Sequence, residues 1–303
     1  MKETEPVIAI VGATASGKST LAQEVADQAG ASLLSVDSRK IYRGLDVGTA
    51  KPSPEAIAKY DYAMVDLVDP KERYSAAEFA REARRIVSGR RASGERVILV
   101  GGTGFYLEAF RNGLAELPDI DEEIRAAVNA EAETRGWTAL HEDLLKIDPV
   151  WAQAINPNDK TRLRRAMEIY RQTSTPLSQW LAASRMETAP WNVVTLYFER
   201  SKEELERRIE ARTDRMIADG LADEVKSLLN KGYSGFDPGL ATVGYAETIK
   251  FLTCGINVEK WREEIIIHTR QYAKRQRTWF RHRAYVDTLP FDSDATQRVM
   301  SFF

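Results

Sequence analysis

Eight residues near the amino terminus carry the plainest chemical signal in the chain. Gly12-Ala13-Thr14-Ala15-Ser16-Gly17-Lys18-Ser19 fits the pattern G-x-x-x-x-G-K-[ST]. It follows a β-rich run, Val7 to Val11, and precedes a helical pattern from Thr20 to about Ala29. In that setting the loop N–H groups and the positive end of the helix surround an anionic phosphate. Lys18 lies along the phosphate oxygens, and the Ser19 hydroxyl is suited to hold a magnesium ion. A chance glycine-rich turn would have to reproduce both the strand before the motif and the helix after it. The loop reads as phosphate binding but does not specify ATP. A P-loop NTPase adds an acid at the end of another strand that reaches the magnesium ion. Here the run Val97-Ile98-Leu99-Val100 ends in Gly101-Gly102-Thr103, and the acid is Asp37, at the end of the run Ala31 to Val36.

Periodicity indicates the elements that must position these residues. A helical stretch near Ala76 to Ser88 precedes a third strand, Arg96 to Val100, which runs into Gly101-Gly102-Thr103-Gly104. Strands separated by helices, each closing in a polar or glycine-rich turn, predict a parallel sheet with ligands at its carboxyl ends. From Asp119 to about Ala183 the pattern is helical, with breaks at Gly136, Pro149, Asn156-Pro157-Asn158-Asp159 and Pro176. Strand character returns over Asn192 to Phe198. From Ser201 the chain is mainly helical, with a loop at Gly232 to Gly239. The expected architecture is an α/β fold: a P-loop NTPase-like parallel sheet core of residues 1–117 and 196–303, interrupted by an all-helical domain at 118–195. The acid after the second strand and the glycines after the third also suit a small-molecule kinase of the shikimate kinase kind.

Composition narrows the partners. With 43% hydrophobic and 29% charged residues in a chain of 303, the protein reads as an ordinary soluble one with real cores. A formal charge of −2 argues against a generic polyanion binder, so nucleic-acid contact has to come from local basic patches. Two such patches exist. Between Arg270 and Arg283 stand Lys274, Arg275, Arg277 and Arg281 with no acid, interleaved with Tyr272, Trp279 and Phe280. Basic side chains grip phosphates and aromatic ones stack unpaired bases, although Trp279 taken alone reads better as core. Lys160, Arg162, Arg164 and Arg165 form the second patch, with Arg125 at the start of the insertion; a charge run is ordinarily a solvated face. The single cysteine, Cys254, excludes an intrachain disulfide and a cysteine-based metal site, and reads as a small buried side chain. His141, His268 and His282 show no ligand spacing. No apolar run approaches the ~20 residues that span a bilayer. The acidic start, Met1 to Pro6, resembles neither a signal nor a transit peptide. A cytoplasmic location, no membrane partner and a monomer are expected.

Longer stretches then become specific. Ser35-Val36-Asp37-Ser38-Arg39-Lys40-Ile41-Tyr42-Arg43-Gly44-Leu45-Asp46-Val47-Gly48-Thr49-Ala50-Lys51-Pro52 closely resembles a signature of tRNA isopentenyltransferases. So do Val100-Gly101-Gly102-Thr103-Gly104-Phe105-Tyr106-Leu107 and Lys274-Arg275-Gln276-Arg277-Thr278-Trp279-Phe280-Arg281, with Val243-Gly244-Tyr245 upstream of the latter. The likeness keeps motif order and spacing over nearly the whole chain, in the bacterial form that lacks the zinc-finger extension of eukaryotic relatives. Lys40 stands where glutamine is frequent in the family, and Asn156 where a histidine commonly precedes Pro-Asn-Asp. The family also holds adenylate isopentenyltransferases, which form cytokinins. The Gly48-Thr49-Ala50-Lys51-Pro52 ending and the helical insertion resemble the tRNA branch.

The resemblance implies magnesium-dependent transfer of a dimethylallyl group from dimethylallyl pyrophosphate to N6 of the adenosine just 3′ of the tRNA anticodon. Asp37 is then the general base. The loop Gly12 to Ser19, with Lys18 and Arg212, meets the departing pyrophosphate, and Thr103 contacts substrate. The anticodon stem-loop is expected to touch Asp37, Ser38, Arg39, Lys40, Thr103 and Arg125. Further contacts are Thr161, Arg162, Leu163, Arg164 and Arg165, then Val243, Gly244 and Tyr245, and finally Lys274, Arg275, Gln276, Arg277, Trp279 and Arg281. The isoprenoid half requires an apolar slot that shields the reaction from water; the sequence does not identify its lining. The rival enzyme, a small-molecule kinase, would phosphorylate with ATP and ignore tRNA. A noncatalytic RNA-binding module would leave Lys18 and Asp37 without a purpose.

Overall fold

The structure is a computed structural model that describes residues 5–184 and 188–303; the amino-terminal residues Met1 to Thr4, part of the acidic start, lie outside it. The chain divides into two compact units, 1–112 with 188–303, and 113–187. The first begins with β1 (Val7–Val11), α1 (Lys18–Ala29), β2 (Ala31–Val36), α2 (Pro54–Lys59), α3 (Ala76–Ala92), β3 (Arg96–Gly101) and α4 (Gly104–Asn112). The second contains α5 (Glu122–Arg135), α6 (Trp137–Ile147), α7 (Pro149–Ala154), α8 (Lys160–Thr173) and α9 (Leu177–Ala183). The first then resumes with β4 (Val193–Glu199), α10 (Lys202–Ala218), α11 (Leu221–Asn230), α12 (Tyr245–Cys254), α13 (Val258–Arg281), β5 (Val286–Pro290) and α14 (Ala295–Met300).

The five strands form one parallel sheet in the order β2-β3-β1-β4-β5. β1 is central, with Ile8 opposite Ile98 on one side and Val194 on the other. Its five residues are all buried, which is why it reads as a continuous apolar run rather than an alternating one. Helix α3 opens on a reciprocal capping box: Glu78 N–H donates to Ser75 Oγ, and Ser75 N–H to the Glu78 carboxylate. β5 and α14 were not among the expected elements. The strand VDTLP is an edge strand with exposed Asp287 and a terminal proline, and it lacks the apolar continuity that marks the buried strands.

The helical unit has its own core of Val128, Leu140, Leu144, Leu163 and Met167. Asp148 is buried there because it has two partners, accepting from Trp151 N–H at 3.0 Å and Ser178 N–H at 2.8 Å. The unit begins and ends earlier than the expected 118–195. Residues 188–195 belong to the sheet unit: Ala189 N–H donates to Arg111 O at 2.7 Å, and Val7 N–H to Asn192 O at 2.8 Å. Cys254 is exposed, contrary to expectation, because it is the last residue of α12 before the left-handed cap at Gly255.

Strand ends place the functional loops. Val36 O accepts from both Gly102 N–H and Thr103 N–H, at 3.2 and 3.1 Å, which clasps the end of β2 to the turn after β3. A Cβ on Gly101 would lie 2.0 Å from that same oxygen. Gly101→Ala is therefore expected to destabilise the protein by about 2–3 kcal/mol, read as a lower urea midpoint at unchanged m value.

Candidate active site

The phosphate loop has a buried foundation and an open rim. Gly12 N–H donates to Gly101 O at 3.3 Å, Ser16 N–H to Ala13 O at 3.2 Å, and Thr14 N–H to Gln276 Oε1 at 2.7 Å. Those three amides are therefore committed within the protein rather than aimed at a ligand, a narrower donor set than the whole loop from Gly12 to Ser19. Positive φ at Ala15 (63°) and Gly17 (93°) gives the turned backbone that gathers N–H groups into a concavity. The first-turn amides of α1, at Lys18 and Ser19, have no intrahelical acceptor and complete the anion site.

Asp37 follows β2 directly and accepts Arg39 N–H at 2.9 Å. Thr103 Oγ1 accepts Ser38 N–H at 3.0 Å, so the two strand-end motifs are bonded to each other. Gln276, on α13, spans the phosphate loop and the glycine turn, with its amide nitrogen donating to Gly102 O at 2.9 Å. Asp37, Lys40 and Gln276 line one cavity of about 690 Å³ with Thr14, Lys18, Ser19, Thr49, Arg212 and Tyr272. A second cavity, about 210 Å³, shares Thr14, Asp37, Thr49, Arg212, Met216 and Tyr272 with it and adds the apolar Ala241, Val243 and Ile265 beside the polar Arg39, Thr213, Thr242, Thr269 and Arg275.

Positive charge dominates the larger cavity. Burial, reinforced by the Lys40 and Arg212 cations, presses the Lys18 ammonium down to about 7 against the pull of Asp37. Lys18 Nζ donates to Ala13 O at 3.1 Å. Burial likewise lowers Lys40 and Arg212 below their ordinary values. Arg212 spans the site, donating to Thr14 Oγ1 at 3.0 Å and Thr49 O at 3.2 Å. Tyr272 is pushed up to about 12 by burial and by the Asp37 charge, so its hydroxyl stays a donor at neutral pH.

Several supporting residues escaped the sequence reading. Arg208 Nε donates to Ala15 O at 2.7 Å, and Arg200 Nε to Ser16 O, which braces the loop from outside. The helical spacing of Arg208 to Arg212 was the available signal for the first. The segment Asp46-Val47-Gly48 hangs on Glu224, which accepts from all three of its N–H groups. Lys51 is buried and paired with both Asp46 and Asp66.

Among the residues expected to touch RNA, Lys40 lines the larger cavity and Arg39 the smaller, where Arg39 also donates to Pro238 O at 3.3 Å; Ser38 lines neither and is bonded to Thr103. Lys274, Arg275 and Arg281 are exposed and Arg277 is half-buried on α13, with Arg281 paired to Glu199. Four residues have other work. Tyr245 is fully buried, and its hydroxyl donates to Glu224 at 2.5 Å; a Cβ on Gly48 would lie 2.4 Å from its ring. Gln276 has its amide spent on two loop backbones. Trp279 packs over Gly104, whose Cβ would lie 2.1 Å from the indole. In the helical unit Thr161 and Arg162 are exposed, and Arg125, Arg164 and Arg165 are partly so, whereas Leu163 is fully buried in its core.

A parallel α/β sheet with a phosphate loop, and with the acid Asp37 and the cations Lys18 and Arg212 facing one cavity, defines an enzyme acting on a phosphorylated substrate. The IPP transferase family model matches residues 40–283, and the chain belongs to that family. It is 41% identical over 301 residues to tRNA dimethylallyltransferase of Geobacter sulfurreducens, covering 98% of this chain and 96% of the relative. It is similar in structure to the tRNA isopentenylpyrophosphate transferase of Bacillus halodurans, with a TM-score of 0.72 at 33% identity over 99% of this chain and 95% of that one. A eukaryotic dimethylallyltransferase structure at 24% identity, covering 98% of this chain and 78% of its own, shares the fold with a TM-score of 0.81.

The depressed Lys18 gives a pH signature. An anion in the loop favours the ammonium form, so the bound state carries more protons than the free state above about pH 7. Inorganic pyrophosphate is expected to bind with uptake of about one proton near pH 8–9, and with affinity falling about tenfold per pH unit across that window. Calorimetry in two buffers of different ionisation enthalpy reads this, and subtraction of Lys18→Met removes the pyrophosphate's own titration.

Proposed function

We propose that this chain transfers a dimethylallyl group from dimethylallyl pyrophosphate to N6 of the adenosine 3′ of the anticodon in tRNA. The observation that carries this reading is the pairing of the two cavities: a cationic phosphate site and a smaller arm with an apolar patch at Met216, Ala241, Val243 and Ile265 share one wall at Asp37, Thr14, Arg212 and Tyr272. The names borne by relatives of nearly full coverage support the same substrate class. The pyrophosphate sits in the loop with Lys18 and Arg212, and the dimethylallyl chain sits against Met216, Val243 and Ile265.

The exocyclic amine of adenine is a weak nucleophile because its lone pair is delocalised into the ring. As nitrogen attacks the allylic carbon, Asp37 accepts the amine proton and the carbon–oxygen bond to pyrophosphate breaks. Negative charge grows on the leaving group, where the first-turn amides, Lys18 and Arg212 are already aimed. Thr103 and Ser38, bonded to each other beside Asp37, position the acceptor base. Ser19 offers a hard hydroxyl oxygen to a magnesium ion. The ion would be held by Ser19 together with substrate oxygens and water. Such an ion offsets charge on the pyrophosphate.

Reaching the base requires it to leave the anticodon-loop stack. Lys274, Arg275, Arg277 and Arg281 on α13, together with Arg125, Arg162, Arg164 and Arg165 of the helical unit, supply the phosphate contacts that a chain of net charge −2 needs. No helix among the described residues is long and apolar enough to cross a membrane. The reading extends to a cytoplasmic monomer, the setting in which an enzyme acting on tRNA meets its substrate.

The deciding experiment offers labelled dimethylallyl pyrophosphate with magnesium to unmodified tRNA, with AMP as a parallel acceptor and labelled ATP as a parallel donor. Label in tRNA is expected; label in AMP alone moves the chain to the adenylate branch, and phosphorylation without prenyl transfer rejects the reading. Asp37→Ala is expected to lower kcat by about 10²–10⁴-fold, with tRNA affinity in a binding assay within about threefold of the parent. Undiminished turnover removes Asp37 as the base.

A further inference from the structure

The helical unit holds a charge arrangement that transfer chemistry does not use. Glu168 is on α8 between Met167 and Ile169, which pack in the unit's core, and its side chain is only 6% exposed. Three arginines converge on it. Arg125 Nε of α5 and Arg164 Nε of α8 lie 3.9 and 3.6 Å from Oε1, and Arg165 Nη1 lies 3.9 Å from Oε2. These are ion-pair separations, too long for hydrogen bonds. The carboxylate therefore orients three guanidinium groups without spending their N–H donors on itself.

The arginines are in turn fixed from other sides. Arg165 Nη2 donates to Pro118 O at 3.2 Å, and Arg125 pairs with Glu122 at 3.6 Å. Their side chains are 23%, 41% and 37% exposed at Arg125, Arg164 and Arg165, so each is reachable from solvent. Burying a carboxylate in an apolar helical core is costly, and one well-formed pair would suffice to neutralise it. Three guanidinium groups against the two carboxylates paired with them, Glu168 and Glu122, leave one positive charge over within the cluster, and a guanidinium fork is matched to phosphate oxygens.

We propose that Glu168 is a positioning residue that gathers Arg125, Arg164 and Arg165 into a receptor for one phosphodiester of the RNA backbone. The proposal rests on the tRNA reading above. It has a distinctive sign. If Glu168 contributed only charge, its removal would make the patch more positive and tighten RNA binding. As a positioning residue its removal releases the arginines and weakens binding.

The test uses the whole protein and unmodified tRNA. Glu168→Gln is expected to raise the tRNA Kd and KM about tenfold and to make the salt slope of binding shallower by about one. Its kcat and its KM for dimethylallyl pyrophosphate are expected to stay within about twofold of the parent. Glu131→Gln also removes an acid from the helical unit, one paired with Arg135 and Arg171, and is expected to leave tRNA affinity unchanged or tighter. Glu168→Asp keeps the charge but withdraws it by one methylene, and is expected to weaken tRNA binding several-fold with the melting transition retained. It carries the test should the glutamine variant unfold. Equal or tighter tRNA binding by Glu168→Gln, or unchanged binding by Glu168→Asp, overturns the role of Glu168. Absence of any transfer to tRNA by the parent protein overturns the functional reading instead, and with it this proposal.

Discussion

Several like charges must be held around one anion site before the anion arrives, and the sheet unit is organised around that repulsion. Lys18, Lys40 and Arg212 face the same cavity as Asp37, and burial, with the Lys40 and Arg212 charges added to it, presses the Lys18 ammonium down to about 7. Three of the cations around the cavity are restrained by acceptors of the protein itself. Lys18 and Arg208 donate to loop carbonyls, and Arg212 donates to Thr14 and Thr49. A mobile set of side chains would relax outward into water. A tethered set retains its attraction for pyrophosphate and does not have to reorganise when leaving-group charge develops.

Tethering explains why so many motif residues face inward. Gln276 ties the phosphate loop to the turn after β3, because its amide can accept from one backbone and donate to the other. Glu224 collects the three amides of Asp46-Val47-Gly48 and receives the Tyr245 hydroxyl, while the Tyr245 ring occupies the space a side chain on Gly48 would take. Polar side chains in these motifs thus replace the secondary structure that the loops lack. They satisfy backbone groups that would otherwise be buried without partners.

Those same contacts mark the limit of what was legible beforehand. β1 to β4, the phosphate loop and Asp37 were readable because local pattern determines them: apolar runs ending in glycine or acid report a strand end whatever lies elsewhere. The helical insertion was readable for the same reason, to within several residues at its edges. The direction a motif residue faces depends on partners far along the chain, as with Gln276 and Thr14 or Tyr245 and Glu224. Leu163 sat inside a basic run yet is core, which a helical wheel over α8 would have shown. Arg200 was hidden because, beside its local partner Glu204, it reaches a loop carbonyl at Ser16 and the face of Phe291, whose centroid is 3.3 Å from its guanidinium carbon. The edge strand β5 offered too little apolar signal to compete with the helical pattern around it.

The placement of β1 at the middle of the sheet has a consequence for biogenesis. One neighbour, β3, leaves the ribosome soon after it, but the other, β4, begins at Val193, after the whole helical unit. At about 5–20 residues per second, the interval between the end of β3 and the start of β4 is on the order of 5–20 seconds. Throughout that interval the run VIAIV keeps one set of backbone donors and acceptors unpaired. A nascent chain in this state displays a sticky, uncharged edge of the kind chaperones cover. Lengthening the insertion would prolong that exposure even if the finished protein were no less stable.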